Sequence, residues 1–177
     1  MSLIDEALDA DDLTPYYTED SRTFTAISTE SVRSLEPARP ITLEPGDTLQ
    51  TAIELMQQKK IGAVVVVENQ HPVGVFTERD VLVRVVGKVP DLSAVRLRGY
   101  MTADPVCLRI DDSIAYALNQ MTVGGFRHIP IIDAQGRVTG IISVRDIADY
   151  MASLVPEEVY NIRPEPLRGG FTALEGG

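Results

Sequence analysis

The chain has 177 residues, 44% of them apolar and 24% charged, with a formal net charge of −10 and a single cysteine. Those proportions describe an ordinary globular protein of one domain or two small ones, and an acidic chain with no basic stripe argues against DNA or RNA as its main partner. No apolar run approaches the ~20 residues of a membrane span, the acidic opening Met1 to Asp12 is unlike a signal peptide, and lone Cys107 permits no internal disulfide, so a cytoplasmic protein off the membrane is expected.

In chain order, Ile41 to Leu43 reads as a short strand after Pro40. Gly46-Asp47-Thr48 supplies a helix N-cap, and Leu49, Ala52, Ile53 and Met56 then recur at the spacing of one apolar helical stripe. The β-branched run Ala63 to Val67 suits a buried strand, and Glu68-Asn69-Gln70-His71-Pro72 supplies turn residues. A third strand enters Gly74-Val75-Phe76-Thr77-Glu78-Arg79-Asp80, which opens a second helix ending near Gly87. Gly87 to Gly99 is read as a linker.

The same order then returns. Pro105, Asp112-Ser113-Ile114, Ala117 and Met121 match Pro40, Asp47-Thr48-Leu49, Ala52 and Met56 at an offset of 65 residues. Val106 to Ile110 is the first strand, Asp111-Asp112-Ser113 the cap, and Ile114, Ala117, Leu118 and Met121 the helical stripe. Ile129 to Ile132, the turn at 133–137 and a final helix ending before Pro156 complete the copy. Beyond one extra residue, Gly140-Ile141-Ile142-Ser143-Val144-Arg145-Asp146 repeats the 74–80 motif. The chain is a tandem duplication.

A βαββα unit of about 50 residues has too little core to stand alone, so the two should pack together. The fold class is α/β (α+β). The expected organisation is an acidic N-terminal arm over 1–39, a first repeat with its linker over 40–98, a second repeat over 99–151 and a tail over 152–177. Residues 1–36 hold nine acids against two bases, 37–151 are nearly neutral at −1, and 152–177 carry −2. The acids either keep a tail soluble or compete with a ligand's phosphates near the arginines. Arms of this length and polarity call for a surface to lie on, such as that of a second copy.

The duplicated βαββα order with its closing Gly-h-h-Thr/Ser-x-Arg-Asp motif (h for apolar) resembles the CBS domain, which occurs as tandem pairs. The resemblance covers residues 40–151. It implies a regulatory module, not an enzyme, with two pseudo-twofold clefts for adenosine nucleotides: AMP, ADP or ATP, with S-adenosylmethionine or NAD as further candidates. It also implies a stand-alone sensor of energy or metabolite state, a homodimer formed through the helices flanking the sheets, and an unknown regulated protein partner.

Within the motif, Thr77 at a strand-to-helix turn can offer its hydroxyl, and an ionised Asp80 can accept both hydroxyls of a ribose. Ser143 and Asp146 repeat that pair. The same spacing also describes a plain capping box, so a ligand-free dimerisation scaffold is the alternative. Arg79 and Arg145 stand in the first turns of their helices, where a cation wants an anion nearby. From the resemblance, the apolar walls would be Ile41, Thr42, Ala63 and Val64 in the first copy, and Val106, Cys107, Ile129 and Pro130 in the second. Each cleft is expected to join one repeat's hydroxyl and Asp to the other repeat's strands. Arg127 and His128 would touch phosphates and make their cleft the one preferring more phosphate charge; a surface ion pair and a strand-edge packing role are the alternatives. Cys107, His128 and Asp133 are the only candidate catalytic set, and Cys107 reads better as a buried small hydrophobe. Two distant histidines without Cys-x-x-Cys give no zinc pattern.

Overall fold

The computed structural model describes residues 27–154; the arms before and after lie outside the described residues. The first repeat contains β1 (Thr42–Leu43), α1 (Leu49–Lys59), β2 (Ala63–Glu68), β3 (His71–Thr77) and α2 (Glu78–Asp80). A two-residue strand β4 (Thr102–Ala103) comes next, and the second repeat contains β5 (Leu108–Arg109), α3 (Ile114–Gly124), β6 (His128–Ile132), β7 (Val138–Ser143) and α4 (Val144–Leu154). The α/β fold with two sheets is therefore as expected, and its elements follow from local chemistry. Thr48 and Ser113 cap α1 and α3 by accepting from the backbone N–H of Thr51 and Tyr116. Both helices end in a left-handed residue, Lys60 at φ 54° and Gly125 at φ 67°.

Each sheet starts with a parallel pair and continues with an antiparallel hairpin. In one, β1 pairs with β2 (Thr42 opposite Val65) and β2 with β3 (Ala63 opposite Thr77). In the other, β5 pairs with β6 (Leu108 opposite Ile131) and β6 with β7 (His128 opposite Ser143). The leading strands are shorter than the sequence predicts. At β5 the reason is that Val106 and Cys107 leave the ladder, the Cys107 thiol donating to the Pro105 carbonyl at 3.3 Å, while the Asp112 carboxylate accepts from the N–H of Arg109 at 2.7 Å.

The segment preceding each repeat packs on the other repeat. Leu97, in a 3-10 turn Leu97–Gly99, is fully buried among Leu49, Val64 and Phe76 of the first repeat's core. Val32, in the 3-10 turn Val32–Leu35, is fully buried among Ile114, Ile129 and Ile142 of the second. The backbone bonds correspond at the 65-residue offset. Leu97 N–H donates to Asp47 and Arg98 N–H to Pro45, as Val32 N–H donates to Asp112 and Arg33 N–H to Ile110. β4 continues the exchange by pairing with β3 (Gly74 opposite Ala103), and Ala38 bridges Ile141 at the matching place. Residues 30–38, read from the sequence as arm, and 94–103, read as linker and start of repeat, thus each cover a core.

α2 departs from the expected helix. After Asp80 the backbone widens into a π turn, Val81–Val85, in which Val86 N–H donates to Val81 O at 2.9 Å, and Gly87 at φ 71° ends it. Its counterpart α4 is a regular 11-residue helix. Replacing Leu97 by Ala leaves a void in the first repeat, so urea unfolding of Leu97→Ala should show a loss of about 2–5 kcal/mol. An unchanged midpoint would show that the exchanged segment is not part of that core.

Candidate functional site

A cavity of about 430 Å³ opens between the repeats, within the size range of small-molecule sites. Three pieces of chain form it: the β3–α2 junction, the segment 102–106 leading into the second repeat, and residues 124–128 entering β6.

At the junction, Thr77 and Asp80 form a full capping box. Asp80 Oδ2 accepts from Thr77 N–H at 3.0 Å and from its hydroxyl at 2.7 Å, while Thr77 Oγ1 accepts from Asp80 N–H at 3.3 Å. Asp80 is only 8% exposed, and its other oxygen, Oδ1, lies 3.4 Å from Arg84 Nε. Ser143 and Asp146 reproduce the arrangement, with Ser143 N–H and hydroxyl donating to Asp146 Oδ2 at 2.5 and 2.8 Å. The cap thus uses one carboxylate oxygen and leaves the other to different partners, so capping does not consume the whole carboxylate.

The remaining walls are mixed. Val106 and Phe126 offer apolar surface, and Thr102 and Asp104 offer polar groups. Arg79 donates to the Gly125 carbonyl at 2.9 Å, at the C-terminal end of α3, so its charge meets the negative end of that helix. Gly62 matters by having no side chain: a Cβ there would stand 3.3 Å from Glu78 Oε2 and 3.5 Å from the His128 ring. Burial, reinforced by the neighbouring Arg127 charge, pushes the His128 imidazole below its ordinary value, with Asp146 and Glu78 opposing in part.

Of the residues singled out in the sequence, Thr77, Arg79, Asp80, Val106, Arg127 and His128 line this one cavity. Ala63, Val64, Ile129 and Pro130 are buried within their strands; Thr42 lies in β1, Ile41 and Cys107 just before the leading strands, and all three are outside the cavity lining. Ser143, Arg145 and Asp146 occupy the corresponding place of the second repeat; Arg145 is solvent-exposed and pairs with Asp149 at 3.7 Å. Sequence reasoning missed Arg84, Thr102, Asp104 and the Gly124-Gly125 pair. The glycine pair was visible beside Arg127, and the 65-residue offset extended backwards would have brought in 102–104. Nothing in the pattern signalled the π turn that places Arg84.

Cys107 and Asp133 have partners and surroundings of their own. Burial pushes the Cys107 thiol up, away from thiolate, and Asp133 accepts from the backbone N–H groups of Gln135 and Arg137 and from the Arg137 side chain within its own turn. Among the described residues no group of three His, Cys, Asp or Glu could hold a metal ion, and no helix is long and apolar enough to cross a membrane.

Two pseudo-symmetric halves that exchange their leading segments around a polar cavity define a tandem-repeat α/β module. The chain belongs to the CBS-domain family, matching the CBS domain over residues 32–87 and again over 97–153. A CBS pair is a regulatory module. An uncharacterised protein of Methanopyrus kandleri is 33% identical over 129 residues, which span 68% of this chain and 65% of that protein. Inosine-5'-monophosphate dehydrogenase of Methanocaldococcus jannaschii is 35% identical over 108 residues, but these are 60% of this chain and only 21% of the dehydrogenase. Among solved structures, a CBS-domain containing protein from Agrobacterium tumefaciens is 30% identical with a TM-score of 0.62, covering 68% of this chain and 98% of its own. A CBS-domain protein of Pyrobaculum aerophilum, solved in complex with AMP, shares the fold at 23% identity and a TM-score of 0.64, covering 72% and 97%.

The lowered His128 value makes stability depend on pH. Its contribution is fully present above the ordinary imidazole value of 6.5 and is lost as pH falls through the lowered folded value, because the unfolded chain takes up the proton first. The melting temperature should therefore drop between about pH 7.5 and 5.5 more in the native chain than in His128→Gln. Equal drops would remove His128 as the cause.

Proposed function

We propose that the module binds an adenosine nucleotide in the cavity between its repeats and signals occupancy to a regulated partner protein. The observation that carries this reading is the Thr77–Asp80 pair: a buried carboxylate on the cavity wall, with one oxygen held by the cap and the other paired only with Arg84, is an acceptor suited to a ribose diol. Val106 and Phe126 offer surface to a purine ring. Arg127, with His128 beside it, offers a place for phosphate.

Charge favours a small phosphate count. Arg79, Arg84 and Arg127 are balanced by Glu78, Asp80 and Asp104 on the same walls, and a balanced cavity does not repay desolvation of a triphosphate. AMP is thus favoured over ATP in this cavity. The same fold holding AMP in the Pyrobaculum protein is consistent with this choice. Homodimerisation remains part of the proposal; Leu82, Val83, Val86, Tyr116 and Val123 are among the exposed apolar side chains available for it.

The test is isothermal titration with AMP, ADP and ATP against the native chain, Asp80→Asn and Asp146→Asn. AMP should bind most tightly, and Asp80→Asn should lose about tenfold or more in affinity, as expected when a charged acceptor is replaced at a buried site. Asp146→Asn should change AMP affinity little. No binding of any of the three would move the reading to a ligand-free scaffold in which both aspartates are caps alone.

A further inference from the structure

Arg84 spans two walls of the cavity. Its Nε stands 3.4 Å from Asp80 Oδ1, and its Nη1 donates to the carbonyls of Tyr100 and Met101 at 3.0 and 3.1 Å. Those carbonyls belong to the exchanged segment, immediately before Thr102 and Asp104, which line the cavity. The π turn gives Arg84 this position, as helical irregularities of this kind often do at functional sites. The second repeat has nothing comparable. Its matching residue is Tyr150, half-buried against the second core, with Glu30 near its hydroxyl.

The lone pairs of Asp80 limit how many donors it can hold. A carboxylate has about four acceptor sites. Oδ2 already accepts from the Thr77 N–H and hydroxyl, so two ribose hydroxyls must both go to Oδ1. Two hydroxyls there fill Oδ1 and crowd the Arg84 guanidinium, which stands against it as an ion pair at 3.4 Å.

We infer that Arg84 is the positioning residue that couples occupation of the cavity to the segment joining the repeats: a vicinal diol on Asp80 displaces its guanidinium and loosens its hold on the Tyr100 and Met101 carbonyls. This rests on the diol-binding reading of the site and adds its regulation. An empty cavity has Arg84 tying Asp80 to the joining segment. A filled one has Asp80 satisfied by the ligand and that tie released, so the signal leaves through residues 100–103 and not through α4.

The experiment compares the native chain with Arg84→Met, which keeps the stem and removes the charge, and with Arg84→Lys, which keeps the charge but not the forked donors. Hydrogen exchange followed by mass spectrometry reads residues 100–103, and titration with adenosine and AMP reads affinity. Without ligand, Arg84→Met and Arg84→Lys should both exchange about threefold or more faster over 100–103 than the native chain, with α1 unchanged. AMP should speed exchange there in the native chain and not in Arg84→Met. Arg84→Met should bind adenosine and AMP alike about two- to fivefold more tightly, since the competing ion pair is partly exposed and modest. Unchanged ligand-free exchange in Arg84→Met would overturn the tie. Weaker AMP binding with unchanged adenosine binding would make Arg84 a phosphate contact and overturn the competition. Failure of the native chain to bind either compound would instead count against the diol reading, leaving the ligand-free exchange to decide the tie.

Discussion

Neither repeat closes its own core. Leu97 completes the first and Val32 the second, and each comes from the segment that precedes the other repeat. The constraint is one of surface: a βαββα unit of this size buries too little to be stable alone, and a borrowed side chain with its backbone bonds supplies the missing cover. The exchange also fixes the halves relative to each other. It lays residues 102–106 along the β3–α2 junction, so a cavity between repeats follows from the way they are stabilised.

The junction itself shows how a capping residue keeps an acceptor oxygen in reserve. Asp80 must cap α2, because Thr77 N–H would otherwise be left unsatisfied beside a buried strand end. Capping consumes Oδ2 alone. Oδ1 is left beside Arg84, and both residues line the cavity. A substitution that abolished binding while leaving the fold would therefore have to keep the cap and remove the charge, which is why an amide is more informative here than alanine. Asp146 carries the same cap, but among the described residues no arginine or lysine pairs with it, and its charge acts on the His128 imidazole instead. Arg127 enters the cavity beside His128, where the first copy has Gly62 and Ala63. The two halves share a scaffold and differ in chemistry.

The duplication, the α/β class and the capped helices were legible because they rest on local rules: apolar spacing, Thr48 and Ser113 at N-caps, β-branched runs for buried strands. The Thr77, Asp80, Arg127 and His128 grouping was also legible, through the family pattern. Three things were not. The apolar candidates Ala63, Val64, Ile129 and Pro130 were read as cleft walls, yet they are the buried interior of β2 and β6, and a sequence does not tell the two faces of a fully apolar strand apart. Residues 30–38 and 94–103 read as arm and linker because their few apolar positions, Val32 and Leu97 among them, make no periodic pattern until placed on the other repeat. Arg84 depended on a π turn, and nothing in Val81 to Val85 distinguishes that turn from an ordinary helix.

The most direct test of nucleotide binding between the repeats is a backbone chemical-shift titration of the isotopically labelled chain with AMP. Saturable shifts should concentrate at residues 77–80, 100–106 and 124–128, with Ser143 to Asp146 little affected. Shifts confined to Ser143 to Asp146, or none at millimolar AMP, would contradict that binding mode.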